Sequence, residues 1–502
     1  MTLSPEKSSP EKLSPEKLNW RAKPDFPTLF EQSSPGRRGY DLPPLTVPKA
    51  GVVPAAYLRQ RAPMLPELSE PEVVRHYTRL STLNYAIDLG IYPLGSCTMK
   101  YNPKVNEEAA RIAGFTSAHP YDPPELLQGV LKLMWELQQY LADVSGLPAV
   151  TLHPAAGAQG ELCGLMMIRE ALRARGDVRK KIIVPDSAHG TNPATASLAG
   201  YTTVKVDTGP DGMVSAEAVA KLMDADTAAI MITNPNTLGI FEKNIKAICD
   251  VVHARGGFVY LDGANLNALA GVARPGDFGA DVMHINVHKT FSQPHGGGGP
   301  GAGPVCAVRE LEPFMPVPVV IREGDKFRLD DDRPRSIGKL RSFATSFLVM
   351  VRTYTYIRSL GPDGVRKNTE MAVLNARYLR SQLEGELHLP YATETLHEVV
   401  FSDKKQKEND ISTLDIAKRL IDYGVHPPTV YFPLVVPGAL MIEPTESESK
   451  GSIDQFCAIL KQVLAEAREQ PHLLKNAPSL APRRRFDEAS AARKPVLRAP
   501  PR

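Results

Sequence analysis

The chain has 502 residues, 42% hydrophobic and 23% charged, which suits a large enzyme with a sizeable core and two or more domains and excludes a small stapled scaffold. Its 59 basic and 56 acidic residues leave a formal charge of +3, too slight to indicate a nucleic-acid partner or an anionic membrane surface. Five widely spaced cysteines without a Cys-x-x-Cys pair fit free thiols in a reducing cytoplasm, and no uncharged apolar run approaches the roughly 18 residues of a membrane span.

The amino terminus repeats Ser-Pro-Glu-Lys at 4–7, 9–12 and 14–17, so residues 1–60 are expected to be a mostly disordered or extended arm. It lacks the apolar centre of a signal peptide, and its glutamates argue against a mitochondrial presequence. A large domain is expected over 61–365. Between 145 and 310, short apolar runs alternate with amphipathic stretches, the pattern of repeated βα units around a mostly parallel sheet, hence the α/β class. Strands are predicted at 181–185, 202–206, 228–233, 258–262, 282–287 and 304–308, and helices at 161–174, 215–223 and 245–255. A smaller carboxy-terminal α/β domain is expected over 366–474. It has helices at 366–385 and 453–469 and short strands at 398–401 and 429–434. Residues 475–502, rich in Arg, Pro and Ala, are expected to form a disordered basic tail.

In such a sheet, ligands bind beyond the carboxyl ends of the strands, where His189, Asn234, Asp262 and Lys289 all fall. A free lysine titrates at about 10.4 and is a poor nucleophile at neutral pH, but beside a carbonyl cofactor in a closed site it forms a Schiff base. Lys289, followed by a glycine-rich run, is the residue placed for that role, against the plain alternative of a solvated lysine before a flexible loop. A pyridine aldehyde would also need an acid for its ring nitrogen, donors for its phosphate and a partner for its face. Asp262 can supply the acid, although Asp-Gly-Ala-Asn reads equally well as a helix cap. Ala156, Gly157 and Ala158 lie where a strand leads into a helix, so their N–H groups and the helix dipole can receive a phosphate. His189 can stack on the ring or move a proton, the alternative being a packed histidine. No residue is assigned as a metal ligand.

Several motifs occur together in one order. They are Pro-Leu-Gly-Ser-Cys-Thr-Met-Lys-Tyr-Asn-Pro at 93–103, Ser-Ala-His-Gly-Thr-Asn-Pro at 187–193 and Thr-Asn-Pro-Asn-Thr-Leu-Gly at 233–239. Asp-Gly-Ala-Asn at 262–265, Val-His-Lys-Thr at 287–290 and Met-Ile-Glu-Pro-Thr-Glu at 441–446 follow. Across residues 60–470 the chain resembles the P-protein of the glycine cleavage system, and its length resembles the separate second subunit that bears the lysine. The resemblance implies a pyridoxal-phosphate enzyme of the aspartate aminotransferase fold (fold type I) that decarboxylates glycine. The aminomethyl group would pass to the lipoyl arm of H-protein, within an α2β2 assembly with a first subunit. It implies Lys289 as the cofactor lysine, Asp262 at the ring nitrogen, His189 over the ring, and Thr290 and the glycine run 296–299 near the phosphate or the opening. Arg341, Arg352, Asn234, Thr98 and Ser96 are candidates for the substrate carboxylate, while Cys97 has no required role. Another enzyme of the same fold, such as an amino-acid decarboxylase, aminotransferase or desulfurase, or a non-catalytic subunit, stays open at this point.

Overall fold

The structure, a computed structural model, describes residues 27–47, 53–61, 63–295 and 301–497. The Ser-Pro-Glu-Lys repeats and the glycine run 296–299 lie outside the described residues.

Seven strands build the large-domain sheet: β1 (Ala149–Thr151), β2 (Lys181–Pro185), β3 (Thr202–Val206), β4 (Thr227–Thr233), β5 (Phe258–Asp262), β6 (Val282–His284) and β7 (Val305–Ala307). Their spatial order is β1-β7-β6-β5-β4-β2-β3. Neighbours from β6 through β3 run parallel, whereas β7 is antiparallel to both β6 and β1. The inner strand β4, Thr-Ala-Ala-Ile-Met-Ile-Thr, beside the central β5, is buried at every position, as a strand covered on both faces must be.

Alternation along the strands divides the core. Ile230, Ile232, Val259 and Leu261 face α1 (Gln128–Ser145) and the later helix Ile245–Ala254. Ala229, Met231 and Tyr260 face α2 (Gly157–Ala174) and α3 (Thr191–Leu198). The run predicted as one strand over 282–287 ends at His284. The Asn286 carbonyl accepts N–H bonds from Lys289 (2.9 Å) and Thr290 (3.1 Å), and this winds Val287–Thr290 into a single helical turn, α4. Lys289 therefore sits on a helical turn rather than directly on a strand end.

After an antiparallel hairpin of β8 (Val319–Glu323) and β9 (Lys326–Asp330), a long helix, α5 (Phe347–Leu383), bends at Gly361 (φ 65°) and passes into the small domain. There β10 (Val399–Ser402), β12 (Ala439–Ile442) and β11 (Thr429–Val430) form an antiparallel sheet in the order β10-β12-β11. The predicted strand 429–434 stops at Val430 because Tyr431 takes a left-handed φ of 58° and Pro433 has no N–H to donate. One face of this sheet, with Phe401, Leu440 and Ile442, packs on α6 (Thr413–Asp422) and α7 (Lys450–Glu469). The other face, with Val400 and Met441, meets Leu238 and Ile240 of the large domain, so the two cores abut beside the end of β4.

The disordered tail expected from 475 does not start there. Beyond the helix Pro471–Asn476, the Ser479 and Leu480 N–H groups donate to the fully buried Asp422 carboxylate (2.7 Å each). Arg485 donates to the Leu474 and Ala477 carbonyls (2.8 Å each) and pairs with Asp415 (2.8 Å). Composition conceals this because the fixing groups are acids of α6, far away in sequence. Asp422→Ala would leave those half-buried N–H groups without their acceptor and take from Arg419 one of its two acid partners, Glu466 remaining, at a cost of about 2–4 kcal/mol. The expected result is a lower thermal unfolding midpoint together with faster amide exchange at 479–480.

Candidate active site

Residues beyond the carboxyl ends of β4, β5 and β6 form the site, closed on one side by the loop 93–101 and the ends of β10 and β12. Lys289 Nζ donates to the Ser96 carbonyl at 2.7 Å. That loop joins the domains: Leu94 forms a bridge with Ile442, and the Glu443 N–H donates to the Pro93 carbonyl (3.3 Å). Ser96 and Thr98 adopt left-handed φ values of 64° and 45°, which cost a non-glycine residue about 1–3 kcal/mol each. Two buried carboxylates compensate, since Glu398 accepts the Ser96 N–H (2.8 Å) and Glu443 the Thr98 N–H (3.0 Å).

Asp262, buried at the end of β5, accepts from Asn192 Nδ2 and the Ala264 N–H (2.9 Å each), with His284 Nε2 at 3.5 Å. The Tyr260 hydroxyl lies 2.7 Å from the other nitrogen of His284. Behind Asp262, Glu161 accepts from Thr191 (2.8 Å) and Asn192 (3.1 Å). Burial pushes both acids up, but the environment divides them. The His284 ring beside it, the hydrogen bonds from Asn192 and Ala264, and Lys289 bring Asp262 below the usual carboxylate range, while burial and the Asp262 charge leave Glu161 raised. The result is an anion held at a fixed place with a more weakly acidic neighbour behind it.

Around Lys289 the histidines are held neutral. Burial, then His295, then Lys289 lower His288 to about 3, and burial followed by Lys289 lowers His397 to about 3. Lys100, missed from sequence as a site residue, is buried and donates to Glu446 (2.6 Å), the Thr290 carbonyl (2.8 Å) and Asn267 (2.9 Å). Burial alone would lower its pKa, yet Glu446 and Tyr356 more than offset that and it stays a charged strut.

The 18-residue α2 begins at Gly157, with Ala156 at its cap in an extended conformation (φ −155°) and Ala158 exposed. A Cβ on Gly157 would overlap the Asn286 side chain, and one on Gly303 would overlap the Ala156 carbonyl, so glycine here is a matter of close approach. Gln159 has a structural role, accepting from Ala155 N–H (2.6 Å) and donating to the Leu340 carbonyl (3.0 Å).

Asn234 lies beyond β4, its oxygen accepting the Glu242 N–H (3.0 Å) while its buried Nδ2 has no protein partner. The Thr290 hydroxyl and Asn286 Oδ1 are likewise buried and unpartnered. His189 is exposed at the rim, bonded through Nδ1 to the Thr191 hydroxyl (2.9 Å) and edge-on to Phe432 of the small domain (5.4 Å). Arg352 is held by Glu107 (2.7 and 2.8 Å) and Arg341 donates to Ser346 (2.7 Å), so both arginines have structural partners. Sequence reading also missed Glu161, Asn192, His284, Glu398 and Glu443 as site residues. Asn192 and Glu443 lay in plain view within the motifs 187–193 and 441–446.

The strand order and the antiparallel β7 define an α/β enzyme of the aspartate aminotransferase-like class, pyridoxal-phosphate fold type I. Among solved structures, the chain is similar to an inhibitor-bound glycine decarboxylase (P-protein) of the glycine cleavage system. The TM-score is 0.71 at 20% identity, covering 82% of this chain and 93% of that one. It is also similar to glutamate decarboxylase of Lactobacillus brevis (TM-score 0.63, 15% identity, covering 85% and 96%).

Residues 46–326 match the family described as glycine cleavage system P-protein, and residues 368–478 match the glycine dehydrogenase C-terminal domain. The probable glycine dehydrogenase (decarboxylating) subunit 2 of Halalkalibacterium halodurans is 54% identical, over 94% of this chain and 97% of the relative. Its namesake in Thermotoga maritima is 52% identical, over 94% and 99%. The chain belongs to the glycine cleavage system P-protein family.

Proposed function

We propose that this chain decarboxylates glycine with pyridoxal phosphate held on Lys289 and passes the aminomethyl group to the lipoyl arm of H-protein, acting with a first subunit in an α2β2 assembly in the cytoplasm. The observation that carries the reading is the convergence of Lys289 and a fixed Asp262 anion at the carboxyl ends of β5 and β6, in a member of this family. The residues present fit the cofactor. A lysine amine, a buried carboxylate and a helix start with no room for a Cβ lie around unpartnered Asn234, Asn286 and Thr290 side chains. When bound, the cofactor supplies an electron sink for the pair left by the departing carboxylate.

The protein's part is placement. Lys289 would hold the cofactor's carbonyl carbon, and the Asp262 anion would keep a proton on its ring nitrogen. The first-turn N–H groups of Gly157 and Ala158, next to Ala156, would receive the phosphate, with the unpartnered Thr290 hydroxyl as a further donor. Asn234 would offer its unpartnered amide to the cofactor or the substrate carboxylate. His189, exposed at the rim, would serve the ring, and Ser96 and Thr98 the substrate side. Among the described residues no helix is long and apolar enough to cross a membrane.

Exchange of the glycine carboxyl with labelled bicarbonate, in protein combined with its partner subunit and lipoylated carrier, is the direct test; no incorporation would remove the glycine reading. Gly157→Ala pushes a methyl group into Asn286 and displaces the phosphate cradle. It should weaken cofactor binding at least about tenfold, a loss of about 1.4 kcal/mol, in an absorbance titration of the cofactor-free protein.

A further inference from the structure

Glu398 immediately precedes β10 and Glu443 immediately follows β12, and the antiparallel register that pairs Val399 with Ile442 sets the two carboxylates side by side at one end of the small sheet. Both are fully buried. With His397 they bring ligand-capable atoms within 4.8 Å of one another, and His397 Nε2 lies 3.9 Å from Glu398 Oε1. One oxygen of each acid is used on the 96–98 loop. Of the rest, Glu398 Oε1 has only a long contact from Asn265 (3.4 Å), and Glu443 Oε1 and both His397 nitrogens have no partner. Among the described residues, the one cation against both acids is Lys289, whose Nζ rests on the carbonyl of the same Ser96 whose N–H binds Glu398.

We infer that Glu398 and Glu443 share a single proton and together form the one-charge counterweight to Lys289, setting how readily that lysine gives up its proton. Two like charges side by side in a dry place do not both ionise when only one cation faces them, whereas one charge against one cation is balanced. The directions agree. Burial and then Glu443 raise Glu398 far above the carboxylate range, and burial raises Glu443 to about 7 against hydrogen bonding from Thr98. The other ionisable groups facing the pair do not supply a second balancing charge: His397 is neutral, burial raises the Cys97 thiol, and Glu446 is matched by Lys100. Glu398 and Glu443 are thus positioning residues for Lys289.

The inference rests on Lys289 as the cofactor lysine, and its test separates the two. The readout is the pH midpoint of the cofactor absorption band in the assembled holoenzyme. If one proton is shared, Glu398→Gln and Glu443→Gln each leave one carboxylate, and each moves the midpoint by less than about half a pH unit. The double variant removes the charge and should lower the midpoint by a unit or more, about tenfold in the protonation constant. Two equal downward steps that add in the double variant would overturn the shared proton. Absence of any lysine-bound band in the unsubstituted protein would overturn the cofactor reading, and this inference with it. Should the double variant not fold, infrared difference spectra of the unsubstituted protein against Glu443→Gln at neutral pH decide the matter. A shared proton predicts loss of a neutral carboxyl band; loss of a carboxylate band contradicts it.

Discussion

Lys289→Ala is expected to remove the lysine-bound absorption band and to lower glycine–bicarbonate exchange by at least about a thousandfold, the scale on which removal of a covalent group acts. The fold should survive. Lys289 is partly exposed and donates to the Ser96 carbonyl, a loss of about 1 kcal/mol on truncation, and the Glu398–Glu443 pair it balances can take up a second proton, so the chain stays folded at a moderately lower thermal midpoint. A rival amine close by is Lys100, which reaches the carbonyl of Thr290, the next residue along. Its ammonium is committed to Glu446 and raised in pKa, so it has no free electron pair to offer a carbonyl. Lys100→Met thus forms a clean counterpart: it should lower stability by about 3–5 kcal/mol through the stranded Glu446 while the protein that remains folded keeps the band. A band that survives in Lys289→Ala would reverse these assignments.

The fold was legible in the sequence wherever period and burial agreed. Strands such as β2 and β5, apolar except for Lys181 at the start of one and Asp262 at the end of the other, appear with the predicted bounds because both faces of the sheet are covered. Apolarity misled where a short buried run changes its hydrogen bonding partway: Ile285 and Val287 are as apolar as a strand requires, yet Asn286 turns the chain into α4. At the candidate site, Lys289 and Asp262 were open to sequence reading because a lysine and an acid stand out where apolar runs end. The pairing of Glu398 with Glu443 was not, although Glu443 stands in a motif, since it comes from an antiparallel register between segments more than forty residues apart, and Glu398 beside a short strand reads as a surface residue. The tail segment 477–485 escaped notice for the same reason, its partners Asp415 and Asp422 lying on a distant helix.

Asp262→Asn should lower exchange by roughly a hundredfold to ten-thousandfold, with only a modest effect on folding. The substitution keeps the shape and the acceptor for the Ala264 N–H, but sets two amide NH2 groups against each other where Asn192 now donates to a carboxylate oxygen. Its main effect is electrostatic. On the proposed reading, loss of the anion would leave the cofactor ring without its proton-holding partner, so the ring would draw electrons more weakly while Lys289 would still bind it. The band should therefore persist in Asp262→Asn, unlike in Lys289→Ala, and that contrast separates a group that tunes the cofactor from one that holds it. The pH dependence follows from the depressed carboxyl. A group whose folded pKa lies below its unfolded value contributes stability that is fully present above the unfolded value, about 3.9, and is lost as pH falls through the folded value. The stability gap between the unsubstituted protein and Asp262→Asn should accordingly stay flat through neutral pH and close only under acid. Glu161 supplies an internal check, because burial and then the Asp262 charge hold its pKa up. Removing that charge should let Glu161 ionise at lower pH, visible in its carboxyl resonance. Near-normal exchange in Asp262→Asn, with Glu161 unmoved, would mean that the anion at the end of β5 serves the packing of α3 rather than the ring.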